Sequence, residues 1–415
     1  MEYGCIGEKL KHSFSKEIHA KLFSYNYEIC EIERQDLDSF MKKHDFKAIN
    51  VTIPYKTDVI PYLDYIDDMA EKIGAVNTIV NKNGKLYGYN TDFSGLSALI
   101  LKNGIELAQK KVLILGSGGT SKTAKAVCES LGAGVILRVS REAKDGFITY
   151  EDAKETHNDA DVIINTTPVG MYPNIDGAAV NISNFKKLSG VVDAVYNPLC
   201  TRLVLDAKSQ GIKATGGLYM LVAQAVFAAE KFTDSKIPTE KIDEVYKEIL
   251  LSKKNIVLVG MPSSGKSTIG SALAEKLGMN FIDTDTLVVD MEKRSIPEIF
   301  QSNGEQHFRS LESKAVLEAA KNSNTVIATG GGVILNPKNI ERLRQNGKIY
   351  FLDRPINDLL VTDDRPLSND IEKLKKLYDE RYDLYRKAAD VIVKCDFDIE
   401  ENIKAIKEDF LKCDY

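Results

Sequence analysis

Short runs of apolar, largely β-branched residues alternate along the chain with stretches whose apolar positions recur at helical spacing. That alternation predicts α/β architecture with parallel sheets. Residues 2–7 (EYGCIG) read as a first strand and 15–23 as a helix. Residues 48–53 (AINVTI) form a strand stopped by Pro54, which leaves Lys56 at the strand's exit. Residues 75–80 and 86–89 pair as a hairpin around Asn83-Gly84, a dipeptide suited to the positive φ angles of a tight turn. Residues 111–115 (KVLIL) make the strongest strand of this half, followed by a helix over 121–131 and strands at 134–139, 162–165 and 191–194. A helix over 239–251 ends in Ser252-Lys253-Lys254, a charged stretch without core positions where a domain boundary is expected. Beyond it, 256–259 (IVLV) reads as a buried strand, 269–277 as a helix, and 281–285 and 325–329 as strands. Arg381 sits on a helix leading to Ala389-Asp390-Val391.

A chain of 415 residues is too long for one ordinary core, and its length suggests roughly three compact units. The 43% hydrophobic and 28% charged fractions belong to the globular class. A formal net charge of -5 argues against a nucleic-acid binder held by bulk electrostatics. No apolar run approaches the roughly 20 residues of a membrane span, and Met1-Glu2-Tyr3 begins no signal peptide, so a cytoplasmic location without a membrane partner is expected. Cys5, Cys30, Cys128, Cys200, Cys395 and Cys413 are scattered with no C-x-x-C pair, as thiols in a reducing compartment would be.

Chemistry enters where strands end. Gly260-Met-Pro-Ser263-Ser264-Gly265-Lys266-Ser267 lies between a strand and a helix and spells G-x-x-x-x-G-K-[ST], with Thr268 next. Its glycines let main-chain N–H groups close around a phosphate, Lys266 brings a point charge to the transferring phosphoryl group, and Ser267 offers a hard oxygen to Mg²⁺. A Gly/Ser-rich turn matching by accident would not require those flanks. Gly116-Ser117-Gly118-Gly119-Thr120-Ser121 follows KVLIL and approximates G-x-G-x-x-G, with Ser121 in the place of the third glycine. The next strand ends Arg138-Val139-Ser140-Arg141, and a guanidinium there suits the 2′-phosphate of NADP better than the ribose of NAD. Glu142 is an unfavourable neighbour for a phosphate, and Arg141 can equally be read as a solvated surface charge.

Other polar clusters have ordinary alternatives. Ser13 and Ser15, or Asn90-Thr91-Asp92, could each cap a helix. Asp283 and Asp285 stand at i and i+2, and strand alternation would point both the same way, towards a metal-water shell or a hydroxyl, unless they cap the next helix. Arg309 has Glu312 three residues on, in orienting or ordinary ion-pair spacing. Gly330-Gly331-Gly332 allows close main-chain approach to a small ligand, and the charged stretch at 363–367 (DDRPL) reads as a lid.

Taken together, the first 251 residues resemble the shikimate dehydrogenase family, through HSFS, NVTIPYK, GAVNT, GYNTD, GSGGTSKTA, INTTPVGM, DAVYNPLCT and GGLYMLVAQA in that order. The resemblance implies a substrate lobe from residues 1–95 plus 215–251 and a Rossmann NADP lobe over 96–214. It assigns Ser13 and Ser15 to the substrate carboxylate, and Thr52, Asn77, Tyr196 and Gln224 to the ring hydroxyls and carboxylate. Lys56 and Asp92 become the catalytic pair, either of which delivers the proton. Gly116, Gly118, Gly119, Ser140, Arg141, Thr166 and Gly217 hold the cofactor. Lys9 and Lys16 replace prolines common around HS-x-S, and Ser140-Arg141-Glu142 replaces a usual Asn-Arg-Thr.

From about residue 253 the chain resembles shikimate kinase, through the phosphate loop, FIDTD, GEQHFRSLE, ATGGG, DDRPL and ERYDLYRKAAD. The resemblance implies a P-loop kinase domain with a parallel sheet. Asp283 would act on Mg²⁺ through water, Asp285 would take the accepting hydroxyl, and Arg309 and Arg381 would clamp a carboxylate while Glu312 braces Arg309. Gly330, Gly331 and Gly332 would line the site, and Arg365 would stabilise charge on the transferred phosphoryl. The segment between Asp353 and Asp364 is shorter than usual, and no arginine stands where many relatives stack one on adenine. Together the two resemblances imply a bifunctional enzyme of aromatic amino-acid biosynthesis: NADPH-dependent reduction of 3-dehydroshikimate to shikimate, then ATP- and Mg²⁺-dependent phosphorylation of shikimate. Small molecules are its expected partners, with a homodimer among the assemblies the sequence allows. Rival readings are an NAD-linked quinate/shikimate dehydrogenase joined to the kinase, and a shikimate-binding regulatory protein, against which the intact Lys56, Asp92, Lys266 and Asp285 speak.

Overall fold

β-Branched runs without charge favour strands buried on both faces, which is how parallel sheets are flanked by helices. Three sheets use them in the computed structural model, which describes residues 1–10, 14–359, 370–395 and 398–412. The chain divides into two compact units, 1–249 and 250–415.

The first unit holds two sheets. One comprises β1 (Tyr3–Gly7), β2 (Tyr27–Glu31), β3 (Ala48–Val51), β4 (Tyr65–Ile66), β5 (Thr78–Lys82) and β6 (Lys85–Tyr89), in the order β2-β1-β3-β5-β6-β4. It is mixed rather than wholly parallel. Asn83 (φ 55°) and Gly84 (φ 83°) close a two-residue turn, which forces β5 and β6 antiparallel, and β5 also runs against β3. The other comprises β7 (Lys111–Leu115), β8 (Val135–Ser140), β9 (Phe147–Thr149), β10 (Val162–Asn165), β11 (Gly190–Asp193) and β12 (Lys213–Thr215). Its order, β12-β11-β10-β7-β8-β9, is parallel throughout, and the chain reverses direction across the sheet between β7 and β10. A crevice at such a switch point is where dinucleotides bind.

The second unit has β13 (Asn255–Val259), β14 (Asn280–Asp283), β15 (Thr325–Ala328), β16 (Gly347–Asp353) and β17 (Val391–Lys394), parallel in the order β14-β15-β13-β16-β17. All five residues of the central β13 are buried. Phe351 packs towards Tyr385 on one face of the sheet, and Leu352 towards Ile269 and Leu273 on the other.

Several boundaries shift from the sequence expectations, and three of the shifts bear on the sites or the domain division. β3 stops at Val51, because Thr52 already accepts the Tyr55 amide in a turn (2.9 Å). β14 stops at Asp283, so Asp285 lies on the helix Thr284–Glu292 and the same-face argument for the two carboxylates fails. Asp283 is the N-cap of that helix, accepting from the Asp285 and Thr286 amides at 2.9 and 3.4 Å. The helix Glu240–Lys253 runs on through most of the charged stretch, and the division between units falls within it, between Ile249 and Leu250.

Asp193, at the end of β11, locks the edge of the crevice. It is fully buried and accepts hydrogen bonds from Thr201 Oγ1 (2.6 Å), Asn165 Nδ2 (2.9 Å) and the Val195 amide (3.0 Å). Burial nonetheless pushes its carboxyl from 3.8 up to about 6. Between those values the folded chain retains a proton that the unfolded chain releases, so this group's contribution to stability falls as pH rises from 3.8 to about 6. The expected loss across that window is about 3 kcal/mol, by 1.36 kcal/mol per pK unit. Urea denaturation at stepped pH should show that slope in the first unit, and Asp193→Asn should flatten it; an unchanged slope in the variant would assign it elsewhere.

Candidate active sites

In the first unit, the turn after β3 carries Lys56, whose carbonyl accepts the Val76 amide at 2.7 Å. Its Nζ lies 2.5 Å from Oδ2 of Asp92, and both side chains are largely buried. Asp92 stands in the first turn of the helix Thr91–Lys102, where the helix dipole favours a carboxylate. Asn90 is the N-cap, accepting from the Phe93 amide at 3.1 Å, so the capping reading and the placement of Asp92 hold together. Asn77 fixes the same turn: its Oδ1 accepts the Thr91 amide (2.7 Å), and its Nδ2 donates to Thr91 Oγ1 (3.1 Å) and Gln224 Oε1 (3.4 Å). Gln224 arrives on the helix Leu218–Thr233, which approaches closely because a Cβ on Gly95 would stand 2.7 Å from the Met220 carbonyl. Asn77, Asp92, Gln224 and Lys56 are thus brought together. Thr52 is half-buried beside Gly7, and Ser15 is buried at the start of the helix Ser15–Leu22. Ser13 lies outside the described residues. Tyr196 meets Phe14 edge-on at 5.2 Å, and burial pushes its phenol up to about 12.

The loop after β7 lies against this cluster. Gly116 has φ 112°, and a Cβ there would sit 2.7 Å from Thr166 Oγ1, which itself donates to the Leu115 carbonyl (2.6 Å). Gly118 caps the helix Gly119–Ser130 without a side-chain bond, leaving main-chain amides at the helix end. A Cβ on Gly119 would be 3.7 Å from the Lys56 stem, so the nucleotide loop and the lysine share one wall. Ser121 is fully buried, consistent with close helix-strand packing. Gly217 donates its amide to the Val195 carbonyl (2.8 Å), next to Tyr196. At the end of β8, Ser140 donates its hydroxyl to the Glu142 carbonyl and accepts the Glu142 amide (3.3 Å), while Arg141 is exposed.

Sequence patterns missed a buried chain behind this site. Tyr27 donates to Asn50 Oδ1 (2.7 Å), Asn50 donates to Thr78 Oγ1 (3.2 Å), and His19 stacks on Tyr27 with centroids 3.9 Å apart. Burial pulls His19 down to about 3, so the imidazole is neutral. Asn50 and Thr78 stand within NVTIPYK and GAVNT, but no local spacing links them to Tyr27 and His19, because the contacts join a helix and three different strands.

In the second unit, Gly260 (φ 155°), Ser263 (φ 64°) and Gly265 (φ 90°) curl the loop after β13. Gly265 opens the helix Lys266–Leu277. Lys266 Nζ donates to the carbonyls of Gly260 (2.9 Å) and Met261 (2.8 Å), over the fully buried Ser264. Ser267 Oγ donates to Asp283 Oδ2 at 2.6 Å, and Thr268 is exposed beside it. Among the described residues no group of three His, Cys, Asp or Glu side chains is arranged for a metal. A hydroxyl beside one carboxylate does fit Mg²⁺, which takes few protein ligands and fills its shell with phosphate oxygens and water.

The triple glycine after β15 is the meeting point of the remaining charges. A Cβ on Gly330 would stand 2.5 Å from Asp285 Oδ1 and 2.9 Å from Glu312 Oε1, and one on Gly332 would overlap the Arg309 guanidinium. The Gly331 carbonyl accepts from Arg381 Nη1 (3.1 Å) and from the Tyr385 hydroxyl. Arg309 is held by Glu312 (3.0 Å) and Glu305 (2.9 Å). Burial pushes the Glu312 carboxyl up while Arg309 pulls it down. Asp285, Arg309, Glu312 and Arg381 therefore converge on residues 330–332, whereas Arg365 lies outside the described residues. Tyr385 was not anticipated, although it sits one helical turn after Arg381.

Fold and sites define a two-lobed dinucleotide-type unit followed by a P-loop phosphotransferase-type unit. Comparison with known proteins agrees. Residues 5–79 match the family model for the shikimate dehydrogenase substrate binding domain, and 262–411 that for shikimate kinase. A shikimate dehydrogenase (NADP(+)) of Clostridium beijerinckii is 39% identical over 261 residues, 59% of this chain and 96% of that protein. Shikimate dehydrogenase 1 from Peptoclostridium difficile superposes with a TM-score of 0.56 at 37% identity, over 60% of this chain and 98% of that one. A chorismate mutase/shikimate 5-dehydrogenase fusion protein from Clostridium acetobutylicum gives a TM-score of 0.56 at 34% identity, over 60% and 96%. The chain belongs to the shikimate dehydrogenase family and carries a shikimate kinase domain at its C-terminus.

Tyr385→Phe should leave the Gly331 carbonyl to Arg381 alone. A loss of about 1 kcal/mol is expected in urea denaturation of the second unit, the worth of one hydrogen bond. Unchanged stability would show that the hydroxyl does not hold the glycine turn.

Proposed function

We propose that the chain catalyses two consecutive reactions, reducing 3-dehydroshikimate to shikimate with NADPH in its first unit and phosphorylating shikimate with ATP in its second. What carries the reading is that each unit sets charged residues of opposite sign against a nucleotide-binding loop: Lys56 and Asp92 beside Gly119, and Asp285 with Arg309 and Arg381 beside residues 260–268.

In the first unit, residues 1–95 and 215–251 form the substrate lobe and 96–214 the NADP lobe. Ser13 and Ser15 bind the substrate carboxylate, and Thr52, Asn77, Tyr196 and Gln224 its remaining oxygens. Gly116, Gly118, Gly119, Thr166 and Gly217 shape the cofactor site, and Ser140 and Arg141 face the 2′-phosphate. NADPH, when bound, supplies a hydride. The Lys56–Asp92 pair holds a proton at the position where the ketone oxygen gathers charge, and the carboxylate orients the ammonium towards it.

In the second unit, Arg309 and Arg381 grip the carboxylate of shikimate by charge-assisted hydrogen bonds, with Glu312 bracing Arg309. Asp285 accepts the proton of the attacking hydroxyl. Lys266 leaves the Gly260 and Met261 carbonyls to reach phosphate oxygens, and Arg365 balances charge on the group in transit. Ser267 and, through water, Asp283 would hold Mg²⁺, which neutralises phosphate charge.

Incubating the chain with 3-dehydroshikimate, NADPH, ATP and Mg²⁺ should yield shikimate 3-phosphate by mass spectrometry. Lys56→Ala should lower reduction by about 10²- to 10⁴-fold, the range for a positioned proton donor, and leave phosphorylation of added shikimate intact. Lys266→Ala should do the reverse. Loss of both activities in either folded variant would refute two separate sites.

A further inference from the structure

Arg309 carries two carboxylates, and they are not equivalent. Glu312 is buried, and both of its oxygens accept from Nη1 (3.2 and 3.0 Å). Glu305 is exposed, and its single oxygen Oε1 accepts from both Nε (3.2 Å) and Nη2 (2.9 Å). The Nε–Nη2 pair is a two-donor edge, the shape that a carboxylate matches with parallel hydrogen bonds. The main chain closes one face of the guanidinium, since a Cβ on Gly332 would overlap it. Glu305 therefore holds an edge that an arriving carboxylate can use.

Burial decides which of the two carboxylates can give way. The helix Ile296–Ala320 is interrupted at Gly304 (φ 78°, ψ 173°), so Glu305 opens a fresh helical stretch and Arg309 follows one turn later. A carboxylate at such a start is favoured by the helix dipole and by water whether or not it touches Arg309. Release is easy for Glu305, because a solvated ion pair is weak. Release of Glu312 is not, because an unpaired buried charge is strongly unfavourable. Charge balance adds a second reason. Three carboxylates, Asp285, Glu305 and Glu312, gather around two guanidinium groups, Arg309 and Arg381. A further anion is admitted more readily once one of the three swings out.

We propose that Glu305 competes with the substrate's carboxylate for Arg309, and so sets how tightly the kinase unit holds shikimate, while Glu312 stays as the brace. The inference rests on the phosphorylation reading above and gives a role to a residue which that reading leaves out. Binding then exchanges one carboxylate for another, and Arg309 is paired before and after the exchange.

Steady-state kinetics and calorimetric titration of shikimate into the full chain, Glu305→Gln, Glu305→Ala and Glu318→Gln provide the test. Both Glu305 variants should lower the KM and Kd for shikimate by about two- to fivefold, the range for losing an exposed ion pair, at unchanged KM for ATP. The unchanged KM for ATP reports that the unit is folded. Glu318→Gln removes the same charge from the same helix, where Glu318 pairs with Lys321 (2.6 Å), and should leave the shikimate constants at their parent values. Unchanged constants in the Glu305 variants would show that residue to be inert, and raised ones that it positions Arg309. An equal fall in Glu318→Gln would show a diffuse charge effect. Each of these outcomes overturns this inference alone. A parent chain that neither binds nor phosphorylates shikimate would overturn the phosphorylation reading and this inference with it.

Discussion

Parallel register is the constraint on which both active-site arrangements depend. Parallel strands end at the same edge, so residues distant in the chain are delivered there without long loops. In the first unit, β7 and β10 end side by side and present Gly116 and Thr166 as neighbours. In the second, β14, β15 and β13 deliver Asp283, the triple glycine and the phosphate loop to one edge. The mixed sheet shows the same logic locally. Only β1, β2 and β3 need a common end, since β3 leads to Lys56, and the antiparallel β5–β6 hairpin instead returns the chain to the helix bearing Asp92.

Delivery to an edge is not enough, because the groups that meet there are charged and partly dehydrated. Buried ion pairs contribute little net stability, and removing one partner typically costs about 3–5 kcal/mol. The Lys56–Asp92 and Arg309–Glu312 contacts are therefore poor devices for holding a fold together and good ones for holding a charge in place. Absence of side chains makes the room. Gly330 and Gly332 let Asp285, Glu312 and Arg309 close on the main chain at distances that any Cβ would forbid. The triple glycine is a packing requirement of the neighbouring charges as much as a flexible turn.

That division explains what could be read from the chain. The strands were legible because β13 and β7 are uniform apolar runs, and the phosphate loop because its backbone angles demand glycine at Gly260 and Gly265. Asp283 and Asp285 misled because a carboxylate ending a strand is also an excellent helix cap, and the free amides of the next helix won the competition. The link between His19, Tyr27 and Asn50 was not legible for another reason: a buried polar chain is satisfied by partners far away in sequence, and no spacing records that.

The cores argue for how two such activities can share one chain. Apolar clusters such as Ile6 with Tyr55 and Val76, or Leu113 with Ile163, lie in residues 1–249, and Val257 with Phe351 and Tyr385 lies in 250–415. A unit that closes its own core can be joined to another without redesign of either interior. The Clostridium acetobutylicum protein, in which the dehydrogenase accompanies a chorismate mutase, is consistent with a dehydrogenase unit that tolerates different companions. Chemistry then decides which companion is useful. Here the product of the first site is the substrate of the second, and both must recognise its carboxylate. On the assignment proposed above, the first unit would use serine hydroxyls for that task, while the second would use two guanidinium groups. Under that assignment, neutral hydroxyls would leave the charge of Lys56 as the cation beside the reacting ketone, whereas a kinase pocket crowded with phosphate would need Arg309 and Arg381 to keep a second anion in place.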